Sequence, residues 1–340
     1  VNSHIKQKLS AIYYRDRPPE GGEYIPLLQK VIHVLENEEQ KIRPHDDDDR
    51  PGGLVQLEKT LPVFIVPDLH ARMELIIHVL FGGAASRPLA ELLSEGRAQL
   101  VFLGDGFHAE IRALERWHNA LNEFMTGYQS HADMDREMAE SLGCMEMVME
   151  LKSAFPEAVH FLKGNHENIK NEYGEGNRPF GKFAFEGEMV LEYIKCFYSE
   201  EFLSLYYRFE KSLPLLAVGN RFLVSHAEPK TVFPRDSVIN YRSDPDVVFG
   251  LTWTANDSAE EGSVAKMLRS YLETDNISGT HYFGGHRTVP ERYLLRADGY
   301  YVQIHNPGKY LAALVDENGK FDPDHDILEY SGTIDDLLRG

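Results

Sequence analysis

Asp68-Leu69-His70, Gly104-Asp105, Gly164-Asn165-His166-Glu167, Ser225-His226 and Gly285-His286 are the points in this chain where metal-binding side chains stand beside turn residues. Three of them close short apolar runs: Val63-Phe-Ile-Val66 before Pro67-Asp68, Leu100-Val-Phe-Leu103 before Gly104-Asp105, and Phe161-Leu162 before Lys163-Gly164-Asn165. Such runs fit strands buried on both faces of a parallel sheet, whose carboxyl ends share one edge. Each run that ends in Asp, Asn or His therefore delivers its donors to that edge. The set Asp68, His70, Asp105, Asn165, His226 and His286 combines two carboxylates, an amide oxygen and three imidazoles. That mixture suits Mn, Fe or Zn better than Ca or Mg, which prefer oxygen throughout. A carboxylate shared by two ions roughly 3.5–4 Å apart is an arrangement that cleaves phosphate esters by in-line attack. Two divalent metal ions are expected.

The intervening segments must position these donors. Residues 1–53 read as a helical extension: Ile25 to Leu35 is apolar at helical spacing, a charged stretch with Asp46-Asp47-Asp48-Asp49 follows as a solvated linker, and Pro51-Gly52-Gly53 breaks the chain. Residues 54–340 then form one catalytic domain. Met73–Phe81 and Pro88–Leu93 are amphipathic and give the helical crossover that a parallel sheet needs. A helical insertion, about 109–157, leaves from the Asp105 loop, with helices around Ile111–Met125 and Met134–Phe155. Its methionines, Met134, Met138, Met145, Met147 and Met149, read as a packing face. Leu215–Val218 and Arg221–Val224 flank Gly219-Asn220 as a hairpin, Ser263–Leu272 reads as a helix, and three later strands (293–295, 300–304, 310–315) alternate with Asp-Gly and Asn-Pro-Gly turns. The fold class is α/β, a two-sheet sandwich, parallel in its first half and antiparallel in its second.

The 340 residues carry a formal net charge of −19, which disfavours nucleic acid and anionic lipid as partners. No apolar stretch is long enough to span a bilayer, and a cytoplasmic location is expected, although a chain starting at Val1 leaves room for a removed leader. Cys144 and Cys196 read as reduced, buried thiols in helical segments. Of the remaining histidines, His4, His33, His78, His118, His131, His160 and His325 read as ordinary, partly exposed polar residues, and His281 and His305 as groups supporting the ligands.

Taken in order, the five motifs resemble those of the calcineurin-like metallophosphoesterases over about Val63 to Glu329, and among these the protein serine/threonine phosphatases most. The hairpin ending in His226, the Leu251-Thr-Trp253-Thr segment and Asn306-Pro-Gly-Lys-Tyr-Leu-Ala-Ala-Leu-Val-Asp316 carry that nearer likeness. The resemblance implies an α/β/β/α sandwich with mixed sheets. It implies that Asp68, His70 and the bridging Asp105 hold one ion, and Asp105, Asn165, His226 and His286 the other. His166 would be the general acid, protonating the leaving oxygen as a metal-bridging hydroxide attacks phosphorus. The substrate would be a phosphorylated protein or a small phosphorylated metabolite such as a dinucleoside polyphosphate; a non-catalytic interaction protein, metal-bound or metal-free, is the alternative of another class. The chain also departs from the pattern. Those phosphatases follow Gly-Asp with an Asp-Arg pair, where this chain has His108 and Ala109. Glu110 or Glu228 could replace the carboxylate, and Arg287 or Arg178 the phosphate-gripping arginine. The sequence is silent on oligomeric state.

Overall fold

A computed structural model describes residues 2–339. The chain opens with α1 (Asn2–Tyr13) and α2 (Gly21–Glu36), followed by β1 (Leu54–Gln56), β2 (Val63–Val66), α3 (Met73–Phe81), α4 (Leu89–Ser94) and β3 (Gln99–Phe102). α5 (Leu114–Met125) and α6 (Ala132–Ala154) fill the segment before β4 (Val159–Phe161). α7 (Glu186–Phe197) and α8 (Glu200–Lys211) lead to the hairpin of β5 (Leu216–Val218) and β6 (Phe222–Ser225). α9 (Arg235–Ile239), α10 (Pro245–Thr252) and α11 (Ser263–Leu272) precede β7 (His281–Gly284), β8 (Leu294–Arg296), β9 (Tyr301–Gln303), β10 (Tyr310–Val315), β11 (Ile327–Tyr330) and α12 (Ile334–Arg339).

Two sheets result, in the orders β11-β10-β2-β3-β4 and β1-β5-β6-β7-β9-β8. Strands β2, β3 and β4 run parallel, as their helical crossovers require. The second sheet corrects the expectation of an antiparallel second half: β6, β7 and β9 are mutually parallel, and only β5–β6 and β8–β9 pair antiparallel as hairpins. The reason lies in the connections. α9 to α11 separate β6 from β7 and let the chain return in the same direction. The tight turn at Ala297-Asp298-Gly299 folds β8 back outside β9, so β9 lies beside β7.

Alternation of side chains on the strands sorts the core into layers. Between the sheets lie Val63, Ile65, Val101 and Leu103 against Ala217, Val224, Phe283 and Val302. Phe64, Val66, Leu100 and Phe102 face the other way, toward the helices of the first half and the five buried methionines of α6. Leu216, Leu223 and Tyr282 meet α9 to α11 on the outer face of the second sheet. This is an α/β/β/α sandwich. Among the described residues, no helix is long and apolar enough to cross a membrane.

Candidate metal centre

Parallel strands leave their carboxyl ends together, and the loops that follow β2, β3, β4, β6 and β7 meet there. Main-chain bonds lace the first two loops: Leu69, His70 and Ala71 donate N–H groups to the carbonyls of Gly104, Asp105 and Gly106 at 3.2, 2.6 and 2.8 Å. The Glu167 carboxylate, fully within the protein, accepts N–H groups from Asp105 (3.0 Å), Gly106 (2.8 Å) and Gly164 (2.6 Å), clamping the β3 and β4 loops together. The main-chain N–H of Gly285 donates to the His226 carbonyl at 2.8 Å, and that of His286 to Asp68 Oδ2 at 2.8 Å. His70, Asp105 and His286 hold left-handed backbone, at φ of 44°, 51° and 61°. Such conformations cost of order 1–3 kcal/mol each and persist only where the surroundings dictate them. Here the crossed loops do so.

Closeness also depends on two glycines. A Cβ on Gly285 would stand 1.8 Å from Asp68 Oδ1, and one on Gly164 would stand 2.2 Å from Asp105 Oδ1. Only hydrogen leaves these loops room to touch.

The six candidate ligands converge. His70 Nδ1 donates to the His108 carbonyl at 3.0 Å and His226 Nδ1 to the Leu103 carbonyl at 2.8 Å. A neutral imidazole has one N–H, so Nε2 of each ring carries a lone pair. His70 Nε2 faces Asp105 Oδ2 at 3.5 Å; His226 Nε2 faces the same oxygen at 3.4 Å and Asn165 Oδ1 at 2.9 Å. His286 Nδ1 lies 2.8 Å from Asn165 Oδ1, with its Nε2 unpartnered, and Asp68 Oδ1 is buried without a partner. Acceptors facing acceptors in a buried pocket are matched by a cation, and the O/N donor set fits borderline divalent metals. Charge energetics agree. Burial, then Asp105 and Glu110, push the Asp68 carboxyl well above its ordinary range, and burial pushes Asp105 up to about 7. Burial holds His226 down to about 4 and keeps His70 and His286 well below the usual histidine value, so the rings present lone pairs.

His166 sits at the rim with 13% of its side chain exposed, its Nε2 3.9 Å from Asp105 Oδ2. Its ring packs on Phe180 at 4.7 Å and lies 5.1 Å from both His70 and His108. Burial, then His108 and His70, lower its pKa well below the ordinary value. His108 is buried, stacked on Trp117 (5.0 Å) and Phe183 (5.9 Å), with Nε2 3.4 Å from Glu186 Oε1. Glu186 is itself fixed by the N–H groups of Lys182 and Phe183 at 2.9 and 2.6 Å. An imidazole backed by a carboxylate thus stands beside His166. Glu110 turns instead to His305 Nε2 at 3.1 Å and His70 Nε2 at 3.6 Å, and Glu228 pairs with Arg296 at 3.4 Å, so neither is hydrogen-bonded to His166. Arg287 is exposed next to His286, while exposed Arg178 lies over the Phe249 ring at 4.6 Å. Glu186 and the pairing of Glu110 with His305 escaped sequence reasoning, and Glu167 stood in a motif without a role assigned to it. Glu167 alone had a local signal, as an acid directly after the Asn165-His166 turn.

A two-sheet α/β/β/α sandwich with Asp, Asn and His donors at one strand edge has the layout of a metal-dependent hydrolase. The calcineurin-like phosphoesterase family model matches residues 61–290, and the chain belongs to that metal-dependent family. No curated protein sequence matches it. Among solved structures it is similar to a protein serine/threonine phosphatase from Saccharomyces cerevisiae with similarity to human phosphatase PP5, at TM-score 0.53 and 14% identity over 93% of this chain and 91% of the other. A cold-active protein-tyrosine phosphatase of a psychrophile, Shewanella sp., is similar at TM-score 0.48 and 14% identity, over 81% and 82%. At 14% identity the likeness to the first of these shows the fold alone.

Proposed function

We propose that this chain is a binuclear metallophosphoesterase that hydrolyses phosphate monoesters. The observation that carries the reading is Asp105 Oδ2, which faces the free lone pairs of His70 and His226 at 3.5 and 3.4 Å. One carboxylate oxygen therefore serves two donor sets. Asp68, His70 and Asp105 would hold one divalent ion (Mn, Fe or Zn), and Asp105, Asn165, His226 and His286 the other. Bound ions supply Lewis acidity toward the phosphoryl oxygens and a water acidic enough to attack at neutral pH. The protein's own groups do the rest. Glu167 and the laced loops fix the donors before substrate arrives, which removes reorganisation from the reaction. His166, at the rim beside Asp105, is placed to protonate the leaving oxygen. The negative charge of an incoming phosphoester favours its imidazolium form against the burial and neighbouring histidines that oppose it.

The substrate is a phosphorylated protein or a small phosphoester. Arg178 lies on Phe249, and the arginines bonded to the donor loops are spent on main-chain carbonyls, Arg72 on that of Asp68 at 2.7 Å and Arg112 on that of Ala71 at 3.0 Å, which leaves exposed Arg287 beside His286 and little else among the described residues to grip a phosphoprotein. That arrangement favours a small phosphate monoester that brings its own contacts; a dinucleoside polyphosphate, cleaved at a phosphoanhydride bond instead, is the alternative. The test joins metal content to turnover. Purified protein should carry two ions per chain and cleave p-nitrophenyl phosphate, and Asp105→Asn should lose metal and turnover together. Full activity with one ion per chain would refute the binuclear reading, and no turnover on phosphopeptides, nucleotide polyphosphates or p-nitrophenyl phosphate by metal-loaded protein would leave the non-catalytic one.

A further inference from the structure

The first donor set, as assigned above, has three side chains where the second has four. His305, which follows β9, stands beside it. Its side chain is 1% exposed, and its Nε2 lies 3.1 Å from Glu110 Oε2. A carboxylate only accepts, so Nε2 carries the proton and Nδ1 carries the lone pair. That Nδ1 is buried without a hydrogen-bond partner among the described residues and lies 3.9 Å from Asp68 Oδ2. Asp68, His70 and His305 each offer a donor atom within 4.8 Å of the others. The ring centroids of His70 and His305 are 5.2 Å apart.

We propose that His305 is the fourth protein ligand of the first metal site, binding through Nδ1, and that Glu110 is the positioning carboxylate that fixes its tautomer and orientation. This rests on the two-ion reading above. A metal-binding histidine usually donates its other N–H to a carboxylate or carbonyl, which orients the ring and makes the ligand nitrogen more basic. His70 follows that rule through the His108 carbonyl and His226 through the Leu103 carbonyl; His305 follows it through Glu110. Glu110 is held for the task by a left-handed backbone at φ 35° and by its second oxygen, 3.6 Å from both His70 Nε2 and Lys182 Nζ. The loop after Asp105 thus ends in a carboxylate aimed at the metal site. Nitrogen and oxygen donors become balanced between the ions, with His305 adding an imidazole to the first.

The experiment is titration of metal-free wild type, His305→Ala, His305→Gln and Glu110→Gln with Co²⁺, following its visible absorption, beside thermal melts with and without metal. One binding step should weaken about 10- to 100-fold in Glu110→Gln and at least as much in the His305 variants. The other step should stay near wild type. The metal-free melting temperature should change little compared with the loss of metal-induced stabilisation. Unchanged affinities in His305 variants that fold, even with a lower metal-free melting temperature, would overturn the assignment and leave His305 a packing residue. Should both His305 variants fail to fold, Glu110→Gln decides: a weakened step supports the assignment, and unchanged affinity overturns it. A wild type that takes up a single ion would refute the two-ion reading, while the effect of the variants on that ion would still decide the role of His305.

Discussion

Leaving-group dependence distinguishes a general acid from a metal ligand, and His166 is the residue to which it applies. Its imidazole lies at the rim, beside the donors. His166→Gln should keep metal content near wild type and lower the rate by about 10²–10⁴ on an alkyl phosphate, with a smaller loss on p-nitrophenyl phosphate, whose leaving group needs little protonation. Steady-state rates on the two substrates check this, and equal losses would assign His166 another task. At this scale the candidate ligands could be singled out because each is local: a donor within four residues of a strand end. The partners could not. His108 and Glu186 are 78 positions apart and Glu110 and His305 are 195 apart, so only the folded chain joins them. Trp117 and Phe183 enclose His108, so the start of the insertion is turned inward.

Elements act on the site through how closely their loops approach. Strand β7 ends in Gly284-Gly285, and a Cβ at Gly285 would collide with Asp68 Oδ1 at 1.8 Å. The loop cannot retreat without breaking the Gly285 N–H bond to the His226 carbonyl, so Asp68 must yield. Gly285→Ala should therefore weaken metal binding at the Asp68 site by at least tenfold and cost about 1–3 kcal/mol of stability, typical of overpacking. Calorimetric metal titration and denaturant melts measure the two effects, and wild-type metal affinity would show that the loop has slack. The long apolar and amphipathic elements were readable: β2, α3 and α11 match their expected spans. β1 and β11 were missed because strands of three and four residues show too little alternation, and α9 and α10 because five and eight residues span barely one or two helical turns. The parallel pairing of β6, β7 and β9 is a consequence of connection geometry, which no window of sequence contains.

The molecule as a whole raises the question of whether residues 1–53 fold with the rest or beside it. α2 packs on α6 and α8. Just after α2, Glu38 is buried between Arg43 (2.8 Å), Lys152 of α6 (2.6 Å) and His160 of β4 (3.9 Å). Arg43 is fully buried and also donates to the carbonyls of Gly52 and Ser212 at 2.9 and 3.0 Å. Even Asp46, from the acidic run expected as a solvated linker, is buried and paired with Arg242 at 2.9 Å. Burial raises the Glu38 carboxyl, but Lys152 and Arg43 outweigh it and hold it near about 2, below its ordinary 4.5. Burial, then Lys152, push His160 down to about 3 from 6.5. Both groups bind fewer protons folded than unfolded. Each therefore adds stability that is complete above its unfolded value and is lost as pH falls, from about 6.5 downward for His160 and from about 4.5 toward 2 for Glu38. Glu38→Gln should cost about 3–5 kcal/mol near neutral pH, because it leaves two buried cations short of their counter-charge. The gap between wild type and variant should shrink as pH falls from 4.5 toward 2, where wild-type Glu38 also becomes neutral. If 1–53 and 54–340 are one cooperative unit, denaturant melts by far-ultraviolet circular dichroism and by tryptophan fluorescence, which reports on Trp117 and Trp253, should shift together. A Glu38→Gln transition that moves only in the circular dichroism signal would mark the extension as a separately folding piece, and a gap independent of pH would remove Glu38 as the acid-sensitive link.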